Sequence, residues 1–159
     1  MPSAPIPTSI LLPEFTEMAS MPTHCASYNL RRADRVVTQL YDEALRESGL
    51  KSTQFTLLSA VRIAGPVAIN CLAERLVMDR TTLTRNLRLL QKEGWVEIHP
   101  GSRDRRVREV SLTEEGGRVQ EGAFPLWQKA QSEVAERLGT ERLYDLLAGL
   151  NATVEAIRD

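Results

Sequence analysis

Residues 72–116 read LAERLVMDRTTLTRNLRLLQKEGWVEIHPGSRDRRVREVSLTEEG, and this stretch decides the fold. Apolar residues recur at spacings of three and four over 69–76 and again over 80–93, which predicts two short helices joined by a tight turn. Strict alternation over 95–99 and over 107–112 then predicts two strands and the hairpin that joins them. Two short helices followed by a hairpin is the layout of a winged helix-turn-helix.

The ends of these elements carry their own signals. Asp79 is a good cap for the second helix, and Gly94 stands where a helix ends in a left-handed residue. Thr113 is the predicted cap of a further helix, whose first turn contains the acids Glu114 and Glu115.

Helical periodicity also flanks this stretch on both sides. We expect one helix over about 27–47 and a second that begins at a cap, Ser52 or Thr53, and ends at about 63. A further helix begins at 113, where Pro125 can introduce a kink, and the last one spans about 140–157. The predicted fold is therefore mainly α with a small β-hairpin. Residues 1–23 contain five of the eight prolines and no basic residue, and we interpret them as an extended N-terminal arm.

The charge balance is informative because of how it is distributed. The 159 residues carry a formal net charge of -1 and are 42% hydrophobic, which excludes a uniformly basic coat protein. Residues 75–108, however, contain nine basic and four acidic side chains, a net charge of +5, so the remainder carries -6. A segregated basic segment is typical of a nucleic-acid-binding surface.

The second short helix is amphipathic, with leucines on one face and basic and hydroxyl side chains on the other. Arginine can pair with a guanine edge in the major groove, and threonine can contact phosphate or a thymine methyl group. On an isolated helix a solvated charged face would be the simpler interpretation, but the preceding turn and the basic hairpin loop favour DNA binding. The candidate DNA contacts on this helix are Arg80, Thr81, Thr82, Thr84, Arg85 and Arg88.

The predicted hairpin tip supplies a second set of candidate contacts. Arg103, Arg105 and Arg106 can reach an adjacent minor groove, where narrow A·T tracts concentrate negative potential. Asp104 lies among them and would be repelled by phosphate, so we expect it to orient a neighbouring arginine, Arg106, through a charge-assisted hydrogen bond.

These residues resemble the DNA-binding lobe of the MarR (multiple antibiotic resistance regulator) family. The matching segments are Leu72–Leu76, Asp79–Arg85, Glu93–Val96, Asp104–Arg106 and Leu112–Gly116. The resemblance extends over roughly residues 25–157 and implies a recognition helix from Arg80 to Lys92, with wing contacts at Asp104 and Arg106.

The resemblance also implies an obligate homodimer that binds a pseudo-palindromic operator. Such a dimer would act as a repressor that leaves the operator when it binds a small ligand or when a thiol is oxidised. It divides residues 24–159 into a winged helix-turn-helix lobe at about 50–113 and a helical dimerisation region at about 24–48 and 114–159. The apolar stripe of the last predicted helix supports a dimer independently, since one small lobe could not easily bury it.

Cys25 is a candidate redox sensor. It lies at the predicted start of the first helix, as in the organic-hydroperoxide-sensing branch of the family, although Tyr28 follows after three residues instead of four. The thiolate is the reactive form of cysteine, and a helix N-terminus favours it. A small packed apolar residue is the alternative for Cys25, and packing is also what we expect of Cys71.

An effector cavity is the other sensing route that the resemblance implies. Some members bind aromatic carboxylates between the dimer base and the DNA lobe. The residues suited to such a ligand are Tyr28, Arg31, Arg32, Phe55 and Trp127.

Other function classes find little support. There is no glycine-rich phosphate loop, nucleophile elbow or metal motif, so we expect no enzyme activity, no metal site and no cofactor. The remaining alternatives are a cysteine-based peroxide-reactive protein and a winged-helix interaction module that does not bind DNA. Two cysteines do not make a disulfide framework, and no apolar run is long enough to span a membrane, so we expect a cytoplasmic protein.

Overall fold

The computed structural model describes residues 24–158, so the predicted N-terminal arm lies outside the described residues. The described residues divide into two compact units, 24–39 and 40–158, and the boundary falls inside the first helix. The first unit contributes the N-terminal part of that helix, and the second contains all the remaining elements.

The second unit has the element order predicted from the sequence, with one added strand. A 3-10 turn, Arg46–Ser48, follows the first helix. The helices are α1 (Ala26–Ala44), α2 (Ser52–Ala64), α3 (Ile69–Arg75), α4 (Arg80–Lys92), α5 (Glu114–Leu138) and α6 (Thr140–Arg158), and the strands are β1 (Val67–Ala68), β2 (Val96–Pro100) and β3 (Arg108–Leu112).

The predicted hairpin is part of a three-stranded antiparallel sheet of order β1-β3-β2. β2 pairs with β3 as expected, with Ile98 opposite Val110, and β1 pairs on the other side of β3, with Val67 opposite the same Val110. The expectation of a two-stranded hairpin was therefore incomplete. A strand of two residues is too short to show alternation, and its pairing depends on a partner more than 40 residues away.

The start of α2 corrects another prediction, because the N-cap is Lys51 and neither Ser52 nor Thr53. The Lys51 amide donates to Oε1 of Gln54 at 2.8 Å. The Ser52 amide donates to Oδ1 of Asp42, on α1, at 2.7 Å. A carboxylate from another helix thus satisfies an amide that a local cap would otherwise satisfy.

The core lies where the short helices meet the sheet. α4 contributes Leu83, Leu87 and Leu90, each at most 1% exposed, as its spacing predicted. α2 and α3 face them, and Val96 and Val110 close the core from β2 and β3. Burying an aliphatic side chain of this size stabilises a fold by about 1.5–3 kcal/mol, so these contacts hold α4 firmly on the sheet.

The start of α5 is bound tightly to the end of the winged helix-turn-helix. The Thr113 hydroxyl caps α5 by accepting from the Gly116 amide at 2.9 Å, as predicted, and also donates to the Gly94 carbonyl at 2.7 Å. The Thr113 amide donates to the Trp95 carbonyl at 3.1 Å. α5 then continues through Pro125 as one helix of 25 residues.

The last helix is mostly exposed, and only Leu143 and Leu150 on it are half-buried. None of the side chains of α6 is buried, and its apolar residues include Leu146 and Leu147, each 45% exposed, and Val154, 42% exposed. Among the described helices, none is both long and apolar enough to cross a membrane.

Candidate nucleic-acid interface

α4 presents a basic face opposite its leucines. Arg80, Thr81, Arg85 and Arg88 are exposed, whereas Thr82 and Thr84 are half-buried at the edge of that face. The predicted span from Arg80 to Lys92 is the observed one. Packing of α3 and β2 against the apolar side of α4 leaves the arginine side accessible to a ligand.

The N-terminus of α4 is stabilised by groups within its own first turn. Oδ1 of Asp79 accepts a hydrogen bond from the Thr82 amide at 2.9 Å, which confirms the predicted cap. The Thr84 hydroxyl donates its proton to the Arg80 carbonyl at 2.8 Å. The hydroxyl oxygen of Thr84 can still accept a hydrogen bond, but the hydroxyl has no second proton to donate. Of the candidate contacts on α4, the arginines and Thr81 are therefore the most available.

The loop between β2 and β3 is a structured turn. The Gly101 amide donates to the Val107 carbonyl at 2.8 Å, and the Val107 amide donates to the Asp104 carbonyl at 3.0 Å. A Cβ on Gly101 would lie 2.8 Å from the Asp104 carbonyl oxygen, so only glycine fits this position without a backbone shift. The turn holds Arg103, Arg105 and Arg106 exposed at its tip.

Asp104 differs in one respect from its predicted role. Its Oδ1 accepts from the backbone amide of Arg106 at 2.9 Å, as an Asx turn does. The charge-assisted bond to Arg106 exists, but it orients the backbone and leaves the guanidinium free. This aspartate therefore shapes the turn that displays the arginines.

The cationic side chains of this surface lack anionic partners within the described part of the chain. No ion pair there involves Arg80, Arg85, Arg88, Arg103, Arg105 or Arg106; the ion pairs of that part engage Arg46, Lys51, Arg62, Arg118 and Arg137. Unpaired exposed arginines on one helix face and one loop form a surface suited to a polyanion.

Comparison with known proteins places this geometry in a family. The sequence profile of the MarR family matches residues 48–107. An uncharacterized HTH-type transcriptional regulator of Bacillus cereus is 30% identical over 113 residues, which cover 69% of this chain and 75% of that protein. The M. tuberculosis transcriptional regulator MosR, solved in complex with DNA, is 39% identical with a TM-score of 0.74, over 85% of this chain and 99% of that chain. This chain belongs to the MarR family.

Further relatives agree on the family and the fold. MarR of E. coli, solved as a mutant complexed with operator DNA, is 25% identical with a TM-score of 0.76, over 84% of this chain and 97% of that one. YwoH of Bacillus subtilis, an uncharacterized HTH-type transcriptional regulator, is 30% identical over 88 residues, which cover 55% of this chain and 64% of that protein. The named relatives of this MarR-family chain are regulators of transcription, which agrees with the expectation that it is not an enzyme.

The structure places Cys25 immediately before α1, at the cap position. Its Sγ accepts from the Tyr28 amide at 3.5 Å, and its carbonyl accepts from the Asn29 side chain at 3.0 Å. The thiol is half-buried. Cys71, in contrast, is exposed on α3, so the packing role expected for it is wrong. The packed face of α3 consists of Ile69, Leu72 and Ala73, and Cys71 points away from it.

The predicted effector-pocket residues fall into two groups. Phe55 of α2 and Trp127 of α5 stack with ring centroids 5.9 Å apart and line one cavity. Tyr28, Arg31 and Arg32 lie on α1 in the other compact unit, where the Arg32 guanidinium lies over the Tyr28 ring at 5.5 Å.

The sequence did not single out the polar residues at the edge of this cavity. Arg62, Gln120 and Glu121 meet there, joined by hydrogen bonds between α2 and α5. Their spacing of 58 and 59 residues leaves no local pattern. A glutamine at a core-facing position of an amphipathic helix was the one available signal.

Proposed function

We propose that this MarR-family protein is a sequence-specific regulator of transcription that binds a double-stranded DNA operator. The observation that carries the proposal is the set of unpaired arginines on α4 and on the β2–β3 loop. α4 has the size and the amphipathic character to enter a major groove, and the loop has the charge to contact the neighbouring minor groove. MosR and MarR, which share this fold, have been solved with DNA.

A homodimer accounts for the exposed helices outside this surface. The described chain buries no side chain of α6, and Tyr144 and Ile157 are 69% and 79% exposed on it. Apolar stripes of this kind are normally covered by a partner. We therefore assign residues of about 50–113 to the DNA-binding lobe, and about 24–48 and 114–159 to the dimerisation region.

A two-fold symmetric dimer implies a pseudo-palindromic operator. Each protomer would present one α4 to one half-site, and half-sites separated by about one helical turn of DNA fit such dimers. Because its ligand would be operator DNA, we expect the protein to act in the cytoplasm.

Selection of bound duplexes from a random DNA pool, at a stated salt concentration, tests the function and the half-site spacing together. The expected result is an inverted repeat whose halves are about one turn apart. Recovery of no enriched sequence from a folded, dimeric protein would contradict the proposal and favour a winged-helix protein-interaction module.

The regulatory sense that we propose is repression relieved by a small ligand or by oxidation of Cys25. The thiol lies at a helix start beside the Tyr28 amide, which supports the oxidation route. Operator binding should be titrated with and without an organic hydroperoxide, using wild type and Cys25→Ser. Loss of binding in wild type alone supports the thiol route, whereas equal loss in both proteins excludes Cys25 as the sensor.

The same reagents distinguish a peroxide-reactive enzyme from a sensor. A sensor consumes hydroperoxide once per thiol, whereas a peroxidase turns over when a thiol reductant is supplied. Sustained turnover that is lost in Cys25→Ser would favour the enzyme.

A further inference from the structure

A line of uncharged side chains runs along α4 beside its buried face. The side chains that hold α4 on the core are three leucines, Leu83, Leu87 and Leu90. The residue directly before each leucine is uncharged, and these residues are Thr82, Asn86 and Leu89. Since an α-helix turns by about 100° per residue, they form a second line at the edge of the outer face. This line is called the uncharged stripe below.

The rest of the outer face of α4 is cationic. Arg85 is exposed near its middle, and Arg88 and Lys92 are exposed in the next turns. Guanidinium and ammonium groups suit phosphate oxygens and the acceptor edge of guanine. These residues therefore favour phosphate and guanine, and an A·T base pair has to be recognised by other side chains.

Leu89 is an exposed aliphatic residue in the middle of this cationic surface. It is 56% exposed, whereas the adjacent Leu90 is 1% exposed. Arg85 precedes it by one turn and Lys92 follows it by about one turn. A single exposed leucine is common on protein surfaces, so its position among cations is the informative observation. The polyanion that these cations suit presents an apolar group in its major groove, the methyl group of thymine.

Asn86 lies about one turn before Leu89 in the same stripe and is half-buried. Among the described residues, none forms a hydrogen bond with its side-chain amide. An asparagine amide can pair with N6 and N7 of adenine at the same time. Side chains three residues apart on a helix have Cβ atoms about 5–6 Å apart, and bases stack about 3.4 Å apart, so both side chains can reach neighbouring base pairs.

We infer that the uncharged stripe reads A·T base pairs in the major groove, with Leu89 covering a thymine methyl group and Asn86 pairing with an adenine edge. Neither residue is among the DNA contacts expected from the sequence. The inference rests on the proposed function and adds to it a source of base preference that the arginines do not supply. Each half-site then contains an A·T pair beside the base that Arg85 contacts.

Removal of one methyl group from the DNA tests the contact of Leu89. The probe is the duplex recovered by the selection experiment, with each thymine of one half-site replaced in turn by deoxyuridine, which lacks only that methyl group. Burial of one methyl group is worth about fourfold in affinity, so we expect one replacement to weaken binding by wild type about fourfold. If no replacement weakens binding, the inference is overturned.

Variants at position 89 assign the methyl effect to this side chain. Leu89→Ala should bind the thymine and deoxyuridine duplexes equally, because the methyl group has lost its apolar partner. Leu89→Met retains an apolar side chain and should restore the preference for thymine. Ile63→Ala is the matched control, since Ile63 is 85% exposed on α2, and it should keep the wild-type preference. A preference that persists undiminished in Leu89→Ala would overturn the contact.

An adenine analogue tests Asn86 in the same way. 7-Deazaadenine pairs normally with thymine but lacks the N7 acceptor. We expect its incorporation at one adenine near the methyl-sensitive position to weaken wild-type binding about tenfold and to have no effect on Asn86→Ala. Leu89→Ala should retain the response to this analogue. An equal response in wild type and Asn86→Ala, or no response at any adenine, would overturn the assignment of Asn86.

These outcomes are distinct from a failure of the proposed function. Both substitutions place alanine, a good helix former, outside the core, so the thermal unfolding midpoint should not fall. If selection enriches no duplex, the proposed function itself fails. If Arg85→Ala weakens binding of a selected duplex but the two base analogues have no effect, the interface is retained and the inference about the uncharged stripe alone is wrong.

Discussion

A Cβ atom on Gly116 would lie only 1.9 Å from the carbonyl oxygen of Trp95. The first turn of α5 thus lies directly against the start of β2. The same carbonyl accepts the Thr113 amide at 3.1 Å, so the peptide group immediately before β2 sets the position from which α5 departs. This contact joins the end of the winged helix-turn-helix to the long helix that leaves it.

We expect Gly116→Ala to destabilise the protein by about 1–3 kcal/mol, because the added methyl group forces the backbone apart. Gly117→Ala is the matched control, since a Cβ at that position has no atom within 4 Å. It should stabilise the protein by up to about 1 kcal/mol through helix propensity. Urea unfolding at one fixed protein concentration measures both, and a gain in Gly116→Ala would contradict the contact.

Thr113 makes two hydrogen bonds with one hydroxyl, as acceptor from Gly116 and donor to Gly94. Thr113→Ala should therefore cost about 1–2 kcal/mol in the free energy of unfolding. Thr113→Ser keeps the hydroxyl and should recover most of that loss. If the serine and alanine variants unfold at the same urea concentration, the hydroxyl is not the stabilising group.

Val77, in the turn between α3 and α4, has φ of +52°. This is a left-handed conformation, which β-branched side chains adopt at a cost of about 1–2 kcal/mol. Asparagine tolerates it, and Val77 is 54% exposed, so Val77→Asn should stabilise the protein by about 1 kcal/mol. Val107→Asn, at a half-exposed valine with no positive φ, should give no gain in thermal unfolding.

The Asp42 carboxylate makes part of the stability pH-dependent. Burial raises the pKa of this group. The hydrogen bond from Ser52 and the Lys51 ammonium lower the pKa by more than burial raises it, so it lies below its ordinary value of 3.8. A lowered folded-state pKa contributes stability that is fully present above the unfolded pKa and disappears as the pH falls through the folded one. Asp42→Asn should thus be less stable than wild type at pH 7 by about 0.5–1 kcal/mol, with the gap closing below pH of about 4.

Asp145→Asn is the control for the Asp42 prediction, because Asp145 is an exposed carboxylate on α6. The difference in free energy of unfolding between Asp145→Asn and wild type should change much less between pH 7 and pH 3 than the difference for Asp42→Asn. A constant gap between Asp42→Asn and wild type over that interval would contradict the assigned role of the carboxylate.

The arginines of the proposed DNA surface should separate into two classes. Arg85→Ala should weaken binding of the selected operator by about 1–3 kcal/mol and relax the preference at one base position, as expected for a base contact. Arg106→Ala should lower affinity most for operators with an A·T-rich flanking minor groove and reduce the salt dependence by about one ion, as expected for a loop arginine that reaches that groove.

Arg137→Ala serves as the control for these variants, because Arg137 is paired with Glu133 on α5. It should leave DNA affinity unchanged. Operator binding measured at several salt concentrations distinguishes these outcomes, and unchanged affinity in both Arg85→Ala and Arg106→Ala would contradict the proposed interface.

Local signals determined most of the winged helix-turn-helix. The leucine spacing of α4 predicted its buried face, and Asp79, Gly94 and Thr113 predicted where helices begin and end. These signals succeed because a cap or a helical face depends on residues within one or two turns of each other. The charge distribution, too, was visible in the sequence because the basic residues of α4 and the loop are close together along the chain.

Tertiary structure decided the features whose partners are distant in sequence. Lys51 caps α2 because Asp42 of another helix binds the Ser52 amide, and β1 exists only because β3 offers it a partner. The cavity edge depends on Arg62 meeting Gln120 and Glu121, and the same meeting neutralises the arginine. Sequence periodicity indicates which face of a helix is apolar. The pairing of charged groups between two helices is set only when the helices pack against each other.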